Sequence, residues 1–111
     1  MTGSEYQSLA MRTCSIPVEL AKDRLMHAAF GVNSEAGEIA GILQKEYQGH
    51  PVDRNHLLKE LGDLMWFVAE ACTALDASLD DVMRMNIDKL KARFPEGFSA
   101  EKSLHRKAGD I

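Results

Sequence analysis

Leu25, Ala28, Val32, Ile39 and Ile42 recur at intervals of three, four, seven and three, the spacing of one face of an α-helix, and the vacant place in that line, position 35, holds a glutamate. The pattern repeats downstream, where Leu57 and Leu64 bracket Glu60 at minus three and plus four. A carboxylate inside an apolar seam is costly unless a cation, hydrogen bonds or a metal ion meets it. Any fold of this chain therefore has to point two acids inward and supply something positive beside them.

The rest of the chain is read as helical too. Its three prolines, Pro17, Pro51 and Pro95, fall where helices have to stop. Ser4 with Gln7 has capping-box spacing, which predicts a first helix near 4–14 carrying Tyr6, Leu9, Ala10 and Thr13 on one side. A second is predicted from about Val18 or Asp23 to Tyr47. A third, capped by Asp53 or Asn55, runs to about Asp76. Ser78 with Asp81 opens a fourth that ends near Phe94, and the polar segment 99–111 is expected to fray. No run alternates with the period of a strand, so the expected architecture is all-α, an antiparallel four-helix bundle over residues 1–98 with a C-terminal tail over 99–111.

With 111 residues there is room for one domain. The stretch 61–69, LGDLMWFVA, is apolar on nearly every side, which a lone small domain cannot cover, and a homo-oligomer, dimer or tetramer, is expected. Thirteen basic against seventeen acidic residues give a net charge of −4, which argues against nucleic acid as a partner. No apolar run approaches the ~20 residues of a membrane span, and the first ten residues lack the basic and apolar segments of a secretory signal. A cytoplasmic protein without membrane contact is expected, its two cysteines, Cys14 and Cys72, reduced. Of the four histidines only His56, four residues before Glu60, is placed near the acids. His27, His50 and His105 read as surface or loop residues. Trp66 and Phe67 read as core or interface, although either ring would stack on a base.

Each inward acid has a second carboxylate three residues on. Glu35 with Glu38, and Glu60 with Asp63, stand about 60° apart on their helices, so four carboxylates can converge. Seventeen acids would produce on the order of two or three such pairs by chance, so it is the interruption of apolar lines that singles these out. Gly37 and Gly62, each enclosed by a pair, cost a helix about 1 kcal/mol relative to alanine and are expected to permit close approach of the two backbones around a hydrated ion. An all-oxygen donor set suits Mg²⁺, or Mn²⁺, better than zinc or copper. On the fourth helix Asn86, Lys89 and Arg93 share a face and could hold an anion such as phosphate, though basic residues also favour a helix C-terminus when merely solvated.

Taken together, EAGE at 35–38, a gap of 21 residues and ELGD at 60–63 resemble the ExxE, spacer, ExxD signature of MazG-like nucleotide pyrophosphohydrolases, and NIDKLKARFP at 86–95 resembles the segment in which those enzymes place a phosphate-binding Lys and Arg. The resemblance, covering about Phe30 to Phe98, implies an all-α nucleoside triphosphate pyrophosphatase, related also to dimeric dUTPases, that uses Mg²⁺ to release a nucleoside monophosphate and pyrophosphate in clearing unwanted nucleotides. It implies Glu35, Glu38, Glu60 and Asp63 as metal ligands, and Lys89 and Arg93 as phosphate-binding residues with Asn86 and Lys59 as weaker candidates. A free carboxylate oxygen, with Glu35 the candidate, is expected to accept the catalytic proton, the identity of the general base being left open by the sequence. Some relatives carry a further acid just before the first Glu, where this chain has Ser34.

Two other readings compete. A ferritin-like di-iron protein also buries glutamates in a bundle, but it needs ExxH on two helices, which neither acid pair offers. A non-enzymatic helical interaction module would pair its glutamates with Lys45, Lys59 or Arg54.

Overall fold

A computed structural model describes all 111 residues. Five helices account for the regular structure: α1 (Gly3–Met11), α2 (Ala21–Tyr47), α3 (Arg54–Ala74), α4 (Leu79–Arg93) and α5 (Ala100–Leu104). There is no strand, and no helix is long and apolar enough to cross a membrane.

Side-chain caps set most of the boundaries. Asp53 Oδ1 accepts from the backbone N–H groups of Asn55 and His56 to start α3, and Ser78 Oγ accepts from Asp81 N to start α4. At α1 the cap is Thr2, which accepts from Glu5 N, rather than Ser4. Ser4 and Gln7 are instead spent on tertiary contacts. Ser4 Oγ meets Ser78 Oγ at 2.9 Å, while the Gln7 amide donates to Thr73 Oγ1 and to the Ala77 carbonyl and accepts from Leu79 N. One amide thus ties α1 to the turn between α3 and α4.

The main packing is between α2 and α3. His27 meets Glu70, Gly31 meets Phe67 and Glu35 meets Glu60, so the partner's number falls as the first one rises and the two helices run antiparallel. α1 lies across α3 and also touches α4. The buried positions include Ala28 on α2 and Ala69, Glu70 and Cys72 on α3. Both cysteines are free thiols.

Close approach does occur through a glycine, but not the ones expected. A Cβ on Gly37, Gly41 or Gly62 would meet nothing within 4 Å, whereas a Cβ on Gly31 would lie 2.2 Å from the Phe67 ring. Gly31→Ala should therefore displace Phe67 and destabilise the fold by about 1–3 kcal/mol in chemical denaturation, while Gly62→Ala, in open helix, should be neutral or stabilising.

The tail is not frayed. Ser99 caps α5, and beyond it Asp110 returns to α4, where it accepts from Arg93 Nε at 2.8 Å and Nη2 at 2.7 Å. A two-point guanidinium–carboxylate fork between groups that are only 12% and 19% exposed holds the end of the chain in place.

Candidate active site

The middle of α2 and the first half of α3 bring the predicted carboxylates together. One oxygen each from Glu35, Glu38 and Glu60 can be chosen so that all lie within 4.8 Å of one another. Asp63 stands beside this group: with Glu35, Trp66 and Phe67 it lines an open cleft of about 310 Å³, and its charge is felt at Glu35 and Glu38. Glu38 and Asp63 are exposed, while Glu35 and Glu60 are half-buried. The Oε2 atoms of Glu35 and Glu60 are buried without a hydrogen-bond partner.

Crowding of like charges shapes the proton affinities. Glu35 is pushed up to about 7, first by the hydrogen bond it makes to Glu60 when protonated, then by desolvation and by the charges of Glu38, Glu60 and Asp63. Glu38 is raised by the same hydrogen-bonded contact with Glu60. Glu60 is lowered, because it accepts from Glu35 and Glu38 and from His56, whose Nε2 lies 3.1 Å from its Oε1. On α1, burial and then the Asp63 charge raise the Tyr6 phenol.

No Lys or Arg compensates this cluster within the chain. The ion pairs are His27–Glu70, His56–Glu60, Arg84–Asp81 and Arg93–Asp110, so Lys45, Lys59 and Arg54 leave the acids alone. Three converging carboxylates, two orphaned buried oxygens and no Lys or Arg beside them, only the His56 imidazole, make a donor set that fits a hard divalent ion.

The predicted phosphate-binding residues lie elsewhere. Lys59 is exposed on α3. Lys89 and Arg93 line a pocket of about 520 Å³ between α4 and the tail, with Lys102, His105 and Arg106 around it and none of the four carboxylates. Asn86 and Lys89 line a shallower neighbouring depression against Asp110 and Ile111. Asp110, held below the usual carboxylate range by Arg93, already occupies that guanidinium.

The MazG nucleotide pyrophosphohydrolase domain matches residues 24–98, which includes all four carboxylates and the α4 row. The chain belongs to this family. It is also similar to the Gene 37 protein of Mycobacterium phage L5, 36% identical over 78 residues that make up 66% of this chain and 68% of the phage protein. No solved structure matches the chain. Membership in a pyrophosphohydrolase family that generally uses divalent metal agrees with the oxygen-lined cleft.

Sequence reasoning missed the pair formed by His27 and Glu70. Glu70 is completely buried, and both its carboxylate oxygens lie within 2.9 Å of His27 Nδ1. A signal was present: Glu70 stands seven residues, two turns, after Asp63 and so on the same side of α3, amid Phe67, Val68, Ala69 and Ala71.

Proposed function

We propose that this MazG-family protein is a Mg²⁺-dependent nucleoside triphosphate pyrophosphohydrolase that converts (d)NTP to (d)NMP and pyrophosphate, in the service of removing unwanted nucleotides. The observation that carries this is the uncompensated trio Glu35, Glu38 and Glu60, with two buried oxygens lacking any partner, beside a cleft that ends on two aromatic rings. Glu35, Glu38, Glu60 and Asp63 would hold the ion. When bound, Mg²⁺ (or Mn²⁺) supplies Lewis-acid polarisation of phosphate oxygens and acidifies water. A free oxygen of Glu35 accepts the proton of the water that attacks the α-phosphorus, and the α–β anhydride bond breaks to release pyrophosphate.

Lys89 and Arg93, with Asn86 and Lys59 in support, hold the phosphates, and an incoming phosphate takes Arg93 from Asp110. The α4 row and the carboxylates line separate pockets of one chain, and they would act on one substrate in an oligomeric bundle where a second copy brings its α4 row to these carboxylates. Met26 and Phe30 on α2, Leu61 and Met65 on α3, and Met85 and Ile87 on α4 are all exposed, an apolar surface suited to a second copy.

The test is direct. Purified protein with a deoxynucleoside triphosphate should yield equimolar monophosphate and pyrophosphate with Mg²⁺ and none with EDTA. Release of orthophosphate, or turnover indifferent to EDTA, would refute the assignment.

A further inference from the structure

Glu70 is an acid with no exposure at all, and no Lys or Arg reaches it. Its partners are His27, with Nδ1 at 2.8 and 2.9 Å from the two oxygens, and the Cys14 thiol at 3.4 Å. Burying a carboxylate is a poor way to stabilise a helix pair that an apolar side chain would pack better. What the arrangement does achieve is orientation. A carboxylate accepts and Nδ1 donates, which fixes both the plane and the tautomer of an imidazole that is otherwise 49% exposed, and leaves Nε2 as its free polar atom.

The rings next to His27 are equally constrained. Its ring sits edge-on to Trp66 and Phe67, at centroid separations of 6.3 and 5.6 Å. Trp66 Nε1 donates to the Ala10 carbonyl and to Thr13 Oγ1 of the α1 end, and Phe67 is seated on the bare backbone of Gly31. Trp66 and Phe67, the two rings His27 touches, line the same cleft as Glu35 and Asp63. His27 precedes Glu35 by eight residues, about 12 Å along α2, a span comparable with that from the α-phosphate of a nucleotide to the far edge of its base.

We propose that His27, oriented by the buried Glu70, reads the nucleobase: its Nε2 hydrogen-bonds the polar edge of the base while Trp66 and Phe67 offer the ring a face. The inference rests on the cleft being a nucleoside triphosphate site. Stacking accepts any base, so the aromatic pair alone would bind all four alike, and a fixed hydrogen-bonding atom at its edge is what would tell one from another. His27 is then a specificity residue in contact with substrate, and Glu70 a positioning residue acting through it.

The experiment measures kcat and KM for dATP, dCTP, dGTP and dUTP at saturating Mg²⁺, in the wild type and in His27→Ala, His27→Gln and Glu70→Gln. The expected result is that His27→Ala compresses the spread in kcat/KM between best and worst base by on the order of tenfold, the size of one lost hydrogen bond, and does so through KM. His27→Gln, which keeps a polar atom, should reorder the bases, and Glu70→Gln, which still accepts from Nδ1, should retain most of the preference. A uniform loss across all four bases in both His27 variants, an unchanged spread, or a wild type without preference would overturn the inference and leave the pyrophosphohydrolase reading standing. A wild type that hydrolyses none of the four removes that reading and the inference with it.

Discussion

Glu38→Ala and Glu60→Ala are expected to lower pyrophosphate release on the order of a thousandfold, because a Lewis-acid contribution of several kcal/mol at about 1.4 kcal/mol per decade is lost with the ion. The two substitutions differ in what they do to the free protein. Glu38 is exposed and its removal relieves repulsion, so Glu38→Ala should fold with unchanged or higher thermal stability when no metal is present. Glu60 is half-buried, bonded to His56 and the acceptor for its two neighbours, so Glu60→Ala leaves a gap on α3 and frees Glu35 from its closest partner. Glu60→Gln keeps the volume and is the cleaner probe. Added Mg²⁺ should raise the melting temperature of the wild type and leave that of Glu38→Ala almost unmoved, since only a protein that binds the ion gains from it. Wild-type turnover in a folded Glu38→Ala would sink the ligand assignment.

Much of the fold was legible because helices announce themselves locally. The three-and-four spacing through α2, the Asp53 and Ser78 caps and the prolines at 17, 51 and 95 each act within a few residues, so they can be read without knowing what packs on what. Ser4 and Gln7 show where this fails. Their spacing is that of a cap, but the turn between α3 and α4 offers them stronger partners more than sixty residues away, and Thr2 takes the cap. Asp110 is similar: nothing in a polar tail foretells that its carboxylate will fork onto Arg93 seventeen positions earlier.

The carboxylates were legible for a different reason. An acid in an apolar line is a conflict that local propensity does not resolve, and such conflicts mark sites. Glu35 and Glu60 stood out by that criterion and do turn inward, each with an oxygen that no partner meets. Glu70 satisfied the same criterion less visibly, since Phe67 and Ala74 bracket it at minus three and plus four but alanine marks an apolar line more weakly than the leucines around Glu60. The glycines misled because spacing cannot tell which side of a helix meets a neighbour. Gly31 faces Phe67, while Gly37 and Gly62 face open space beside the acids.

The largest effect of pH should fall on metal binding. Glu35 is raised from 4.5 to about 7 in the ion-free protein, so near neutrality it still holds the proton that it shares with Glu60. An ion must displace that proton, which makes apparent Mg²⁺ affinity weaken as pH falls below about 7 and level off above it. Stability without metal runs the other way. A carboxyl whose folded value lies above its unfolded one stabilises the fold most below the unfolded value, and that contribution disappears as pH rises through the folded value. Between about 4.5 and 7, then, ion-free protein should lose melting temperature as Glu35 ionises among Glu38, Glu60 and Asp63. Thermal melts at pH 5.5 and pH 8 with and without Mg²⁺ separate the two trends: the Mg²⁺-induced rise should be small at the lower pH and large at the higher, and Glu35→Gln should flatten both. A rise of equal size at the two values would mean that no proton leaves the cluster when the ion enters, and Glu35 would then not be one of its ligands.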